Sequence, residues 1–413
     1  MRVALVHYWL VRMRGGERVL ESLCEIFPEA DIFTHVYDPE AVSETIRRHR
    51  VRTTFIGRLP NAVRRYRKYL PLMPLALEQL DLRAYDLVIS SESGPAKGVI
   101  TSPGSLHVCY CHSTMRYVWD MYPDYLAGAS ALTRWLMRPI IHYLRMWDVT
   151  AAARVDHFIC NSEHVSRRVR KYYRREAEVI PPPVDTESFT TSAETDDNFL
   201  FLSELVRYKR PDLAVEAFNR LGKPLVVIGE GEELAGLRRL AGPTVRLLGR
   251  QPFAAIRDHY ARCRALIFPG EEDFGIVPVE AMAAGRPVIA FGRGGARETV
   301  VDGVTGLFFD EQTPEALCEA VRRFEAEEGR FSSERIREHA RGFDRAVFKE
   351  RMRASIERLL ESRPGAAVAR RSFGRVAAGG AQGMEPVSGL PVSGGRREPS
   401  GAESSDRSPA TSS

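Results

Sequence analysis

Two carboxylates eight positions apart, Glu272 and Glu280, lie in the run FPGEEDFGIVPVEAMAAG at 268–285, around a glycine turn and the start of a helix. Arg264 to Pro269 reads as a buried strand leading into that turn. Behind it, Pro278 has the preference of a first helical position. That places Glu280 in the first turn, where the helix macrodipole favours an anion. The backbone amides of Phe274, Gly275, Ile276 and Val277 are then expected to point outward. Such a crevice offers donors to phosphate or hydroxyl oxygens, while the flanking carboxylates accept from sugar hydroxyls. A polyhydroxylated, phosphorylated ligand fits this inventory.

Three other positions could take part in the same chemistry. Gly15 and Gly16 follow the first apolar run and precede a periodic helix, a setting in which backbone can approach a ligand closely. His112 follows the apolar run ending VCYC, so it belongs at the carboxyl end of a strand and not on an apolar helical face. Lys209 lies near a helix start after FLFLSELVRY, where its ammonium and the neighbouring amides can hold a diphosphate. Each has a plainer reading taken singly: a turn, a core histidine, a solvated lysine.

The elements needed to position these groups are present twice. In the first half, strands are expected at Val3 to Tyr8, Asp31 to His35, Leu87 to Ser90, Leu106 to Cys111 and His157 to Cys160, with a helix over Glu17 to Ile26. In the second they are expected at Phe199 to Ser203, Leu225 to Ile228, Val245 to Leu248, Ala265 to Phe268 and Val288 to Phe291. Strands alternating with amphipathic helices imply α/β architecture: two doubly wound, Rossmann-like domains with parallel sheets. The segment 180–198, with three consecutive prolines and then polar residues, reads as the linker between domains at 1–179 and 199–342. Facing domains of this kind place the carboxyl ends of both sheets on a shared cleft.

With 413 residues, 44% of them hydrophobic and 27% charged, the chain falls among ordinary globular proteins. Residues 362–413 carry seven Arg against four acids among Gly, Ser, Pro and Ala, and are expected to remain a disordered tail. Residues 45–77 carry nine Lys or Arg and no acid. This basic face, chiefly within 47–68, is either simply solvated or meets anionic lipid headgroups or a diphosphate-bearing acceptor. Nucleic acid is disfavoured, because no recognition-helix, zinc-finger or RNP-like pattern accompanies the charge. The six cysteines form no CxxC pair and read as reduced core residues. No apolar run reaches the roughly 20 residues of a membrane span, and the amino terminus reads as a first strand and not a signal peptide.

The run EDFGIVPVEAMAAG resembles the E-x7-E signature of retaining glycosyltransferases of family 4, which have the two-domain GT-B fold. The resemblance extends over about residues 1–361. It implies a cytoplasmic hexosyltransferase using a nucleotide diphosphate sugar, with Glu272 and the amides of Phe274 to Val277 on the donor sugar and Glu280 on the ribose. It further implies His112 holding the sugar from the first domain, Lys209 on the diphosphate, and Gly15, Gly16, Gly249 and Glu298 lining the donor pocket. A helix at 343–361 is expected to pack back on the first domain.

The extension HSTMRYVWD is similar to a branch containing O-antigen mannosyltransferases, which favours mannose and polysaccharide synthesis on a lipid-linked or saccharide acceptor. By location, Arg116, Trp119 and Asp120 become acceptor-side candidates. One departure stands out: family members usually carry an arginine five residues before the lysine, where this chain has Glu204. Arg207 occupies a position where proline is common, and either takes over part of the phosphate charge or the loop binds its nucleotide differently. No Asp-x-Asp motif or His/carboxylate cluster is found, so neither metal nor cofactor is expected. A nucleotide-sugar epimerase of the same fold is the alternative function. An NAD oxidoreductase is disfavoured, because Gly229-Glu230-Gly231 lacks the third glycine of the dinucleotide fingerprint.

Overall fold

The computed structural model describes residues 1–123 and 130–363. Seven parallel strands build the first sheet: β1 Val3–His7, β2 Asp31–Thr34, β3 Val51–Thr53, β4 Leu87–Glu92, β5 Leu106–Cys111, β6 His157–Cys160 and β7 Ala177–Val179, in the order β3-β2-β1-β4-β5-β6-β7. Six form the second: β8 Phe199–Leu202, β9 Leu225–Ile228, β10 Val245–Gly249, β11 Leu266–Phe268, β12 Val288–Phe291 and β13 Gly306–Phe309, in the order β10-β9-β8-β11-β12-β13. Both orders reverse direction beside their first strand, at β1/β4 and at β8/β11. Crevices open at such switch points because successive connections leave toward opposite faces.

Helices cover both faces of each sheet, so the central strands are buried throughout rather than alternating between core and solvent. Every residue of β1, β4, β5, β9 and β12 is buried. The three strands that the sequence reading missed are β3, β7 and β13. Each lies at or beside a sheet edge, and the first two have three half-buried or exposed residues in place of an apolar run.

The chain crosses between domains twice, and the crossings touch. Val184 N donates to Phe343 O at 3.0 Å, and Arg345 N donates to Val184 O at 3.1 Å. Asp344 caps the helix Arg345–Glu361, and this helix sinks Phe348, Met352 and Ile356 into the core beneath β1 and β4. Burying each such side chain contributes about 1.5–3 kcal/mol, which ties the carboxyl-terminal helix to the amino-terminal domain. The 190–198 stretch is fastened to the second domain instead, with Asp196 on Arg262 at 2.8 Å and Thr195 on Arg286 at 2.8 Å. Of the expected tail, Ser362 and Arg363 are described, and 364–413 lie outside the described residues.

Candidate functional site

In the carboxy-terminal domain, the loops after β8 and β11 meet. Residues Arg207–Lys209 make one 3-10 turn, Arg210 turns left-handed at φ 55°, and the helix Pro211–Leu221 begins. Gly270 lets the second loop lie against the first: a Cβ there would sit 2.8 Å from the Lys209 Cα. Lys209 Nζ consequently reaches Glu272 Oε1 at 3.1 Å, with both side chains mostly buried. Burial works against the Lys209 charge, but the Glu272 carboxylate and the Tyr208 phenol outweigh it. The lysine pKa therefore rises above its usual value and the ammonium persists.

The helix after β11 spans Ile276–Ala283, two residues earlier than the sequence reading placed it. Gly275, left-handed at φ 93°, makes the turn that proline was expected to mark. Pro278 is then the third helical residue, tolerated because no intrahelical acceptor awaits its missing N–H. Glu280 consequently leaves the first turn. It is largely buried, accepts from the Tyr260 hydroxyl at 2.8 Å, and burial pushes its pKa up to about 7.

Across the cleft stand the loops after β1, β4 and β5. The helix Gly15–Ile26 begins directly opposite the helix Ile276–Ala283: a Cβ on Gly15 would lie 2.7 Å from Ile276 Cδ1. Two helix N-termini thus converge on one gap, each contributing unpaired amides and a positive dipole end. Beside them, Ser91 Oγ links His7 Nδ1 at 3.0 Å and His112 Nε2 at 2.8 Å. Burial, aided by His7, pushes the His112 pKa down to about 3, so this ring is neutral near pH 7. Asn161 donates to the His112 carbonyl at 2.9 Å and fixes its backbone.

Polar contacts join the domains. Arg14 forks onto Glu204 with two bonds of 2.9 Å. Asp273 receives Arg116 at 3.3 Å and also Arg168, while Ser162 Oγ donates to the Asp273 carbonyl at 2.5 Å. Burial alone would raise the Asp273 carboxyl, yet Arg116 and Arg168 hold it below the usual range. Glu298 accepts from the backbone amides of Glu163 at 2.7 Å and His164 at 2.8 Å, covering the N-terminus of the helix Glu163–Tyr173. A cavity of about 400 Å³ opens one residue along from Glu272, between Glu271, His164, Arg167, Arg293 and Arg297.

The residues singled out in the sequence therefore divide. Gly15, Gly16, His112, Lys209, Glu272, Ile276 and Glu280 come together at the strand ends. Gly275 and Val277 flank them on the same turn and helix, while the Phe274 ring points into the core against Phe343. Arg207 is exposed and forms no ion pair with the described residues, and Gly249 lies at the end of β10, where its carbonyl accepts from Gly229 N.

The three acceptor-side candidates are occupied internally. Arg116 pairs with Asp273, Asp120 with Arg168 at 3.2 Å, and Trp119 donates to Asp148 at 2.7 Å while stacking on Tyr172. Sequence reasoning missed Asp273, Arg168, Ser162 and Tyr260. Asp273 adjoins Glu272 in the motif, but no periodicity marks the other three.

Two opposed parallel-sheet domains with convergent helix N-termini and a lysine–carboxylate pair at their switch points define the GT-B class. Two family models match in tandem: "Glycosyltransferase Family 4" over residues 13–188 and "Glycosyl transferases group 1" over residues 185–343. The chain belongs to the glycosyltransferases that they describe.

An uncharacterized glycosyltransferase of Methanocaldococcus jannaschii is 30% identical over 177 residues, covering 41% of this chain and 50% of that protein. A GDP-mannose-dependent alpha-(1-6)-phosphatidylinositol monomannoside mannosyltransferase of Mycobacterium tuberculosis is 33% identical over 174 residues, covering 35% and 45%. The chain thus spans about half the length of the curated relatives it matches. Among solved structures, sucrose-phosphate synthase of Thermosynechococcus elongatus superposes with TM-score 0.66 at 18% identity, covering 88% of this chain and 100% of that one. Anabaena HepE in complex with UDP superposes with TM-score 0.64 at 17% identity, covering 86% and 100%. At such identities the likeness concerns the fold.

Proposed function

We propose that this glycosyltransferase moves a hexose, with mannose favoured, from a nucleotide diphosphate sugar to a saccharide or polyprenyl-diphosphate-linked acceptor, with retention at the anomeric carbon. The observation that carries the reading is the Lys209–Glu272 pair, set at 3.1 Å beside two converging helix N-termini. As the bond between anomeric carbon and phosphate oxygen breaks, the leaving diphosphate gains charge. Lys209 and the helix-start amides stabilise that charge in a site already organised to receive it. Glu272 accepts from donor-sugar hydroxyls, and Glu280 takes a ribose hydroxyl. Neutral His112 meets the sugar from the opposite domain. The acceptor oxygen bonds to the anomeric carbon on the face the phosphate leaves, and its proton passes to the departing phosphate oxygen. No metal is invoked, because cationic side chains and helix dipoles meet the diphosphate charge.

Mannose rests on the mycobacterial relative and on the HSTMRYVWD segment, whereas the fold neighbour HepE was solved with UDP and with UDP-glucose. The reading places the enzyme in cell-surface polysaccharide synthesis at the cytoplasmic face of a membrane, held there by the cations of 47–68. Transfer assays with GDP-mannose and UDP-glucose, with and without a polyprenyl-diphosphate-linked saccharide, test it. Glu272→Ala is expected to lower turnover on the order of 10²–10³-fold while nucleotide binding survives. Normal turnover by that variant removes Glu272 from the site, and donor consumption without acceptor points to an epimerase.

A further inference from the structure

The exposed apolar residues are concentrated on one face. The helix Ala131–Ala153 buries Ile141, Leu144, Trp147 and Ala151 on one side, yet leaves Leu132 66%, Trp135 65%, Leu136 51% and Met146 55% exposed on the other. With Tyr143 and Val149, also exposed, these positions are three, four or seven residues apart, apart from the neighbours Trp135 and Leu136, and fall on the helix face opposite the buried one. A second element beside the helix also exposes apolar residues. The 66–78 segment packs against this helix, with Leu70 and Leu77 in one cluster with Ile140, Ile141 and Leu144, and with Trp147 Nε1 donating to Glu78 at 2.8 Å. Its own Leu72 and Leu75 face solvent. Such a surface is far more apolar than scattered single residues would be.

Its charge is one-sided. Arg58, Arg64, Arg65, Arg67 and Lys68 are exposed on the 58–68 segment, and Arg134 and Arg138 on the helix. The one acid of the helix is Asp148, which is buried against Lys97, Trp119 and Tyr173. An isologous contact with a second copy would set these cations against their own kind. An anionic bilayer satisfies both features, since lipid headgroups pair with the guanidinium rim while acyl chains cover the apolar stripe. Trp135 at the head of the helix suits the headgroup boundary. Among the described residues no helix is long and apolar enough to cross a membrane, so the element would lie on the surface.

We propose that the outer face of the helix Ala131–Ala153, with Leu72 and Leu75, inserts into the interfacial layer of an anionic membrane. The inference sharpens the membrane placement offered above and does not depend on which sugar is transferred. It also has a catalytic consequence. Arg145 Nε donates to the Val118 carbonyl at 2.5 Å and ties the helix to the segment that follows His112, so insertion would hold that side of the cleft toward the membrane surface.

The test is co-sedimentation of the full chain with vesicles of phosphatidylcholine and phosphatidylglycerol, compared with phosphatidylcholine alone. The triple variant Leu132→Ser, Trp135→Ser, Leu136→Ser is expected to partition about ten-fold or more weakly, with unchanged circular dichroism and unchanged transfer to a water-soluble acceptor. Brominated lipids should quench tryptophan fluorescence in the native chain and not in the variant. Equal partitioning of the two proteins overturns the proposal. If Arg64→Glu, Arg65→Glu, Arg67→Glu then releases the chain, a purely electrostatic attachment remains. A dimer that the serine variant dissolves, without vesicle binding, also overturns it in favour of self-association. Vesicle binding that needs the stripe, in a chain that transfers no sugar, leaves this inference standing and removes the enzymatic reading.

Discussion

The two domains share a sheet order and differ in where they keep their polar groups. In the amino-terminal sheet, His7, Ser90, Ser91, Glu92 and His107 are buried on or between strands, and Lys97 lies fully buried between Glu92 at 3.2 Å and Asp148. In the carboxy-terminal domain, the buried polar side chains among the described residues are Ser203, Thr299 and Thr305, and the mostly buried charges Lys209, Glu272 and Asp273 stand at the cleft. One half thus builds a hydrophobic platform with a charged edge, suited to a ligand that displaces water from that edge. The other uses buried polar networks to hold the segment that follows β5, where His112, Arg116 and Trp119 stand outside any strand. A buried network stabilises one loop arrangement only while every member is satisfied.

The sharpest way to break that contrast is Lys97→Met. It leaves Glu92 and Asp148 buried without their cation, and about 3–5 kcal/mol of stability should be lost in urea denaturation. No single cleft-rim charge of the carboxy-terminal domain should cost as much.

Next comes pH. Glu280 has a native pKa of about 7 against an ordinary 4.5, so between these values the folded state binds a proton that the unfolded chain releases. Stability should therefore fall as pH rises from 4.5 to 7 and level off above. Glu280→Gln should remove roughly 3 kcal/mol of that fall. Burial likewise pushes Glu92 up to about 7, against the pull of Lys97, so the slope left in the variant reports the amino-terminal network.

Tyr260→Phe, which removes one neutral donor from Glu280, should cost about 1 kcal/mol in the same assay. Arg14→Ala should cost the least. Its pair with Glu204 is well exposed, and stability should change by less than ~1 kcal/mol, although small-angle scattering should register a wider cleft.

The switch-point strands were legible because burial on both faces leaves a short apolar run, as in VALV of β1 and LVI of β4. Strands β3 and β7 were not, since a three-residue edge strand with mixed exposure has no period to detect. At the site, Glu272, Glu280, Lys209 and His112 could be read because each follows a strand at a recognisable motif. The helix start at Ile276 was misjudged because Gly275 can turn the chain before proline does. The cross-domain pairs were beyond reach: Arg14 with Glu204 and Arg168 with Asp273 depend on how two domains dock, which no local spacing encodes. Glu204, unexplained as a departure from the family pattern, acquires a partner in Arg14 once the domains meet.

The central claim is that Lys209 and Glu272 hold an activated sugar between the domains. Thermal unfolding of the native chain and of Lys209→Ala across a panel of nucleotide diphosphate sugars tests it most directly, since a ligand bound to the native state raises the melting temperature by mass action. The account predicts that at least one such sugar raises Tm by several degrees in the native chain and that the variant loses most of this shift. A panel that leaves Tm unchanged, or an equal shift in both proteins, would contradict it.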